Sequence, residues 1–162
     1  MAVVDYFLKI DGIQGESHDH KHKDEIQLES WSWGESNSGT MASGGGGGAG
    51  KVQMQDFHFV MKVNKSSPKL WLACAQGEHI KSAVLTCRKA GKDAQEYLTY
   101  KFTDLLISSY QTGGSGGSDI VPTDQISFNY TQIEMEYKEQ KADGTLAGGI
   151  KAKYDLKAGK AS

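Results

Sequence analysis

Apolar and polar residues alternate with period two along most of the chain, the pattern of strands with one face buried. Val4, Tyr6, Leu8 and Ile10 share one face of a first strand, glycines 12 and 15 turn the chain, and residues 16–24 form a polar loop. In the next segment, 25–33, Ile26 and Leu28 lie on one face and Trp31 and Trp33 on the other, so the apolar side changes across Glu29 and Ser30. Segment 52–60 behaves alike, with apolar residues at 52 and 54, then at 57 and 59, and a slip near Asp56. One-residue slips of this kind mark β-bulges, which are also expected around Leu105 and Leu106 and between Tyr130 and Ile133. Further strands are predicted at 82–88, 96–110, 125–137 and 150–156. In the last, Ile150, Ala152, Tyr154 and Leu156 alternate with charged residues, which predicts one buried and one solvated face. Roughly eight strand segments bent by repeated bulges predict an all-β fold, mainly an antiparallel β-barrel.

One stretch breaks the pattern. Ser67 offers an N-cap hydroxyl, Pro68 suits the first helical position and Gly77 the position just past the end, so a short α-helix is predicted at about 68–76. Its sequence is apolar nearly all round. The expectation is therefore a largely covered helix flanking or plugging the sheet, with Trp71 as a core anchor.

The stretch "SGTMASGGGGGAGKVQMQDF" at 38–57 contains G-x-x-x-x-G-K at Gly45 to Lys51. A phosphate-binding loop of that type needs a Ser or Thr after the lysine and a helix opening behind it. Position 52 is Val and a strand follows, so no nucleotide site is predicted. The alternative is an extended glycine-rich loop at about 39–50, longer than the usual connection inside a domain. A second tract, Gly113 to Gly117, separates two later strands.

With 162 residues, 38% of them hydrophobic, the chain suits one domain spanning 1–162. A formal charge of −2 gives no electrostatic footprint for nucleic acid. No apolar run reaches the ~18 residues that a membrane span requires, so membrane insertion is not expected. The first residues lack the basic region and apolar stretch of a Sec signal, which predicts folding in the compartment where the chain is made and any export by another route. Cys74 and Cys87 carry neither CxxC nor zinc-finger spacing and are read as buried, inert thiols.

Candidate chemistry is sparse. His18, His20 and His22 would share one face if they stood in a strand, yet their surroundings are charged and turn-like, so a solvated loop is preferred over a metal site. His58 reads as a hydrogen-bonded structural histidine. No nucleophile elbow or linked Ser/His/Asp set is present, so no catalytic, metal or cofactor residue is assigned and no enzyme is predicted. A concave pocket with converging titratable groups would argue otherwise, and a barrel packed with its own side chains should lack one.

Read as ordered blocks, "DYFLKIDGIQGES" at 5–17, "WSWGESNSGT" at 31–40, "GGGGGAGKVQMQDF" at 44–57, "KSSPKLWLACAQGEH" at 65–79, "RKAG" at 88–91, "SSYQTGGSGG" at 108–117 and "YKEQKADG" at 137–144 closely resemble the hemolysin-coregulated protein (Hcp) family, the tube protein of type VI secretion systems. The resemblance implies a β-barrel with one helix, assembled as a six-membered ring whose copies stack into a tube. It implies as partners other copies of the chain, a spike protein, a contractile sheath and secreted effectors carried in the ring lumen, with release into the medium or a target cell. On this reading Gly44, Gly45, Gly46, Gly47, Gly48 and Gly50 belong to an arm that touches a neighbouring subunit or ring. In "ESWSWGES", inward Trp31 and Trp33 put Ser30 and Ser32 outward, where they are candidate lumen or effector contacts. A secreted ligand-binding β-sandwich that is not part of a tube is the competing class.

Overall fold

The computed structural model describes residues 4–41, 51–89, 94–117 and 121–162. Among these, the chain forms β1 (Val4–Ile10), β2 (Ile26–Leu28), β3 (Ser30–Ser32), β4 (Glu35–Asn37), β5 (Val52–Met54), β6 (Phe57–Lys62), α1 (Ser67–Gln76), β7 (His79–Lys89), β8 (Gln95–Gly113), β9 (Thr123–Tyr137), β10 (Ile150–Asp155) and β11 (Lys160–Ala161). The class is all-β, as expected. The strands are more numerous than periodicity suggests, because the first two predicted slips are complete breaks. Glu29 separates β2 from β3, and Gln55 and Asp56 separate β5 from β6.

An antiparallel sheet runs in the order β11-β10-β9-β8-β7-β1-β2. β9 is its organising strand. One edge pairs with β8, while the other takes β6 along Thr123 to Phe128 and β10 along Gln132 to Tyr137. β3 then pairs with β6, placing Trp31 opposite Phe59. The expected barrel is not closed by pairing. β2 bonds to β1 and β3 to β6, and the circuit passes from one to the other through the chain at Glu29, whose N–H donates to the Val60 carbonyl at 2.8 Å.

The slips expected farther on differ in kind. In β8 the buried positions pass from Tyr100 and Phe102 to Leu105 and Ile107 across Asp104, which has φ 51°, and the register with β9 shifts between Ile107 and Ser109. In β9 the buried face changes between Tyr130 and Ile133 while the register stays intact, since Thr103 faces Gln132 and Leu105 faces Tyr130. Both strands turn over together there, which is a shared twist and not a bulge.

The core between the walls is aromatic. Phe57, Phe59, Phe102 and Phe128 are fully buried, and the Phe57 ring lies 5.0 Å from Phe102 and 5.1 Å from Phe128 between centroids. Half-buried Trp31 stacks on Phe57 at 6.0 Å and meets Tyr100 edge-on at 5.4 Å. The Trp33 indole N–H donates to the Tyr130 hydroxyl, which donates in turn to the Gln55 carbonyl at 2.9 Å. Burial pushes the Tyr130 phenol up to about 12. It is thus a neutral strut between β3, β9 and the break before β6.

The helix departs from expectation in two ways. Ser66 is the N-cap residue and makes no side-chain cap. The Ser67 hydroxyl instead donates to Asp124 Oδ2 at 2.6 Å and accepts from the Asn64 N–H at 3.0 Å, tying the first turn to β9. Nor is the helix covered: Ser67, Leu70 and Ala73 are buried, whereas Trp71 is 57% and Leu72 44% exposed. A helix lying on a sheet buries one stripe, and here that stripe is set by Leu70 and Ala73, which turns Trp71 away from the core. Cys74, beside that stripe, is half-buried and not buried. Gly77 ends the helix at φ 62°, and the N–H groups of Gly77 and Glu78 bond back to Cys74 and Ala73. Replacing Ser67 by Ala strips a buried carboxylate of its donor and should cost about 1–3 kcal/mol in urea unfolding; a cost below about 0.5 kcal/mol would mean that the contact is replaced by water.

β10 also differs. Ile150 is 75% exposed and Ala152 is exposed, and Tyr154 and Leu156 are half-buried. β10 pairs with the part of β9 that lies past the shared twist, so only the Tyr154 and Leu156 end of its expected buried face packs against the core, and Ile150 and Ala152 extend beyond it. Cys87 is fully buried as expected, and burial pushes its thiol up to about 12, which keeps it unreactive.

Candidate functional site

Alternation in β3 does what the sequence implied: Trp31 turns to the core, and Ser30 and Ser32 are exposed on the outer face. The register shows what stands beside them. Ser32 faces His58, His58 faces Ser127 and Ser127 faces Ser109; one row over, Ser30 faces Val60, Val60 faces Gln125 and Gln125 faces Gln111. The four strands β3, β6, β9 and β8 therefore present two rows of hydroxyl, amide, imidazole and one valine side chain, with no carboxylate, ammonium or guanidinium in either row. His58 Nδ1 lies 2.9 Å from Ser127 Oγ, so it is the hydrogen-bonded histidine expected of it. The sequence singled out Ser30 and Ser32 but not Gln111, Gln125 and Ser127, which share their face. The polar alternation in 123–129 was visible, yet only pairing reveals that it continues the same face.

β4 and β5 form a separate two-stranded ribbon, Glu35 opposite Met54 and Asn37 opposite Val52, and every residue of β4 is exposed. The candidate contacts Gly44 to Gly48 and Gly50 lie outside the described residues, between the two strands of this ribbon.

The loop at 11–25 does not display its histidines on one face. His22 is buried, stacked on Phe7 at 4.5 Å, with ring nitrogens 2.9 Å from Glu25 Oε2 and 2.5 Å from Glu96 Oε1; His18 and His20 are exposed. Asp19 causes this turn by accepting the N–H groups of Lys21 and His22 on Oδ1. Gly15 is required for the close approach, because a Cβ there would come within 2.7 Å of Glu25 and Ile26 backbone atoms. Among the described residues no three His, Cys, Asp or Glu side chains are placed to hold a metal ion.

A groove of about 770 Å³ lies between this loop, β2 and the end of β6, contrary to the expectation that a packed barrel would lack a concave pocket. Its charged groups include Asp5, Glu16, Asp19 and Arg88. Arg88 Nη2 donates to Asp19 Oδ2 at 2.6 Å and to Asp5 Oδ2 at 3.3 Å, and its guanidinium sits 4.8 Å above the Phe7 ring. The Arg88 hydrogen bond holds the Asp19 carboxyl far below the usual carboxylate range, and Asp19 first and Asp5 second push Arg88 up. Arg88 thus answers Asp5 and Asp19 together, one cation to two carboxylates, and the groove stays net negative. The Ser17 hydroxyl accepts from the Asp19 N–H at 3.2 Å and has no base behind it, so the groove holds no nucleophile–base pair among the described residues.

Residues 7–137 match the family described as "Type VI secretion system effector, Hcp". The chain belongs to the Hcp family. Protein hcp1 of Pseudomonas aeruginosa is 49% identical over 147 residues, 90% of each chain. Among solved structures, Hcp1 from Salmonella typhimurium is 36% identical with a TM-score of 0.81, covering 98% of this chain and 99% of its own. A type six secretion system protein is 32% identical with a TM-score of 0.92 over the same shares. A type VI secretion system effector from Yersinia pestis is 37% identical, with a TM-score of 0.76, over 93% and 99% of the two chains. This Hcp is therefore a secretion-system protein of all-β class. Among the described residues it has no helix long and apolar enough to cross a membrane.

Proposed function

We propose that this Hcp is the tube subunit itself: residues 1–162 act as one unit, six copies close into a ring, and rings stack into the inner tube that a contractile sheath propels behind a spike protein. The face formed by β3, β6, β9 and β8, with Ser30 and Ser32 at its edge, lines the lumen and carries effectors. The observation that carries this reading is the uncharged, mostly polar character of two rows across four strands, a surface that can hold a passenger without trapping it. Self-association is supported by the exposed apolar cluster where Ile150 faces Tyr137 and Ala152 faces Met135 at the β9–β10 edge. The glycine arm at Gly44 to Gly48 and Gly50, carried on the β4–β5 ribbon, is read as the contact between neighbouring subunits or rings, where residues without side chains let backbones pair.

The test is Ser32→Gln, read by sedimentation velocity and by effector co-purification. Wild type and variant should both sediment as six copies of the 17.6 kDa chain, and the variant should retain less effector. A monomer at micromolar concentration would overturn the ring. Unchanged retention would remove Ser32 from the lumen, and lost assembly would move it to a subunit contact.

A further inference from the structure

The groove follows the seam at which the hydrogen-bonded circuit stays open. Backbone directions along it are fixed by the bonds on either side. The Glu29 N–H points across to Val60 O, and the Glu25 carbonyl, two pairs of residues back along the same edge, accepts from the Ser17 N–H at 3.0 Å. Gln27, between them in the alternation, therefore turns its N–H and C=O into the groove, while Ile26 and Leu28, opposite Leu8 and Tyr6, turn theirs to β1. On the far wall the Val60 carbonyl points toward β3 and the Val63 N–H points the other way, to Pro122 O at 2.9 Å. Lys62 thus directs its N–H into the groove; its carbonyl already accepts from Asn64 Nδ2 at 2.8 Å. Gln27 and Lys62 both line the cavity. Beyond the Glu29–Val60 bond no further backbone hydrogen bond joins the two edges among the described residues, and the groove between Gln27 and Lys62 is a slot that one added strand fills.

The chemistry of the slot selects the occupant. Leu28, Val63 and Val121 give it apolar surface. Asp5, Glu16, Asp19 and Glu29 stand against Arg88 and Lys62, four carboxylates to two fixed cations. Arg88 is occupied by Asp5 and Asp19, whereas Glu16 and Glu29 are exposed and make no ion pair among the described residues. We propose that this groove binds an extended segment of another protein by strand addition, with apolar residues at alternate positions against Leu28, Val63 and Val121 and lysine or arginine at the positions between, facing Glu16 and Glu29.

The site does not depend on ring formation. The test uses the whole protein with fluorescein-labelled Lys-Val-Lys-Val-Lys-Val-amide, anisotropy for affinity and amide chemical shifts for location. Saturable binding is expected, with the largest shifts at Gln27 and Lys62, affinity falling about fivefold in Glu16→Gln/Glu29→Gln, and further loss as salt rises from about 50 to about 500 mM. Val121→Trp, at the rim, should block the slot while leaving the melting temperature unchanged. The same peptide N-methylated at alternate residues loses the N–H row of one edge and should bind weakly. No saturation below about 1 mM, shifts centred on α1, or affinity indifferent to the glutamates would overturn the proposal. If Val121→Trp instead abolished self-association with peptide affinity unchanged, the occupant would be a second copy and the proposal would fail. Lost rings with retained peptide binding would count against the tube reading alone.

Discussion

Replacing Arg88 by Met should lower stability by about 3 kcal/mol at neutral pH, the low end of what breaking a buried ion pair costs, because the groove admits water to the carboxylates left behind. Arg88 is 7% exposed and the two aspartates it bridges come from β1 and from the 11–25 loop. Without it, two like charges face each other beside the Phe7 ring, and the loop loses its tie to the sheet. The pH dependence has a definite sign. Asp19 is depressed in the folded state, so its contribution is complete above the unfolded carboxylate value, about 4, and disappears as pH falls below it toward the depressed folded value. The gap between wild type and Arg88→Met should therefore be widest at pH 7 and shrink below about pH 4. Urea titrations at several pH values measure it, and a gap that grows in acid would show that Arg88, not the aspartates, is the burdened group.

Phe57→Ala should cost more, about 3–5 kcal/mol, with a melting temperature lower by roughly 6–20 °C. Phe57 is fully buried, sits directly after the Asp56 break, and touches Trp31, Phe59, Phe102 and Phe128. Truncation opens a cavity whose lining comes from four strands, so the walls cannot collapse onto it without shifting register. Phe57→Leu keeps most of the volume and should cost less than about 1.5 kcal/mol. Because Trp31 stacks on Phe57, the alanine variant should also red-shift the tryptophan emission. An unshifted spectrum with the full loss of stability would mean that β3 is held by its pairing to β6 and not by its indole.

The strands were legible because burial on one face imposes period two, and the slips at Glu29 and Asp56 were legible because a broken strand shifts that period by one. Ser30 and Ser32 followed from Trp31 for the same reason. Trp71 was not legible: an all-round apolar helix carries no direction, and which stripe it buries depends on the sheet beneath, which local sequence does not report. Ile150 misled in the opposite way. Its strand alternates cleanly, but alternation says that two faces differ and not that anything covers the apolar one. His22 left the expected solvated loop for a buried place on Phe7 because Asp19 bends the chain, a contact between neighbours that composition hides. Closure was overestimated since β2 and β3 read as one strand, and only their separate partners reveal the seam.

The pairing of β8 with β9, continuous from Leu98 opposite Tyr137 to Gly113 opposite Thr123 apart from one shift, gives the molecule a stiff direction and a soft one. A pull along these strands loads many backbone hydrogen bonds together, in shear, so none yields until most do. β11 is held to β10 by two residue pairs at the sheet's edge, which a pull would open one after the other like a zip. Tension on the C-terminal end thus peels the molecule gradually, whereas tension along the β8–β9 axis meets it as a single rigid bar.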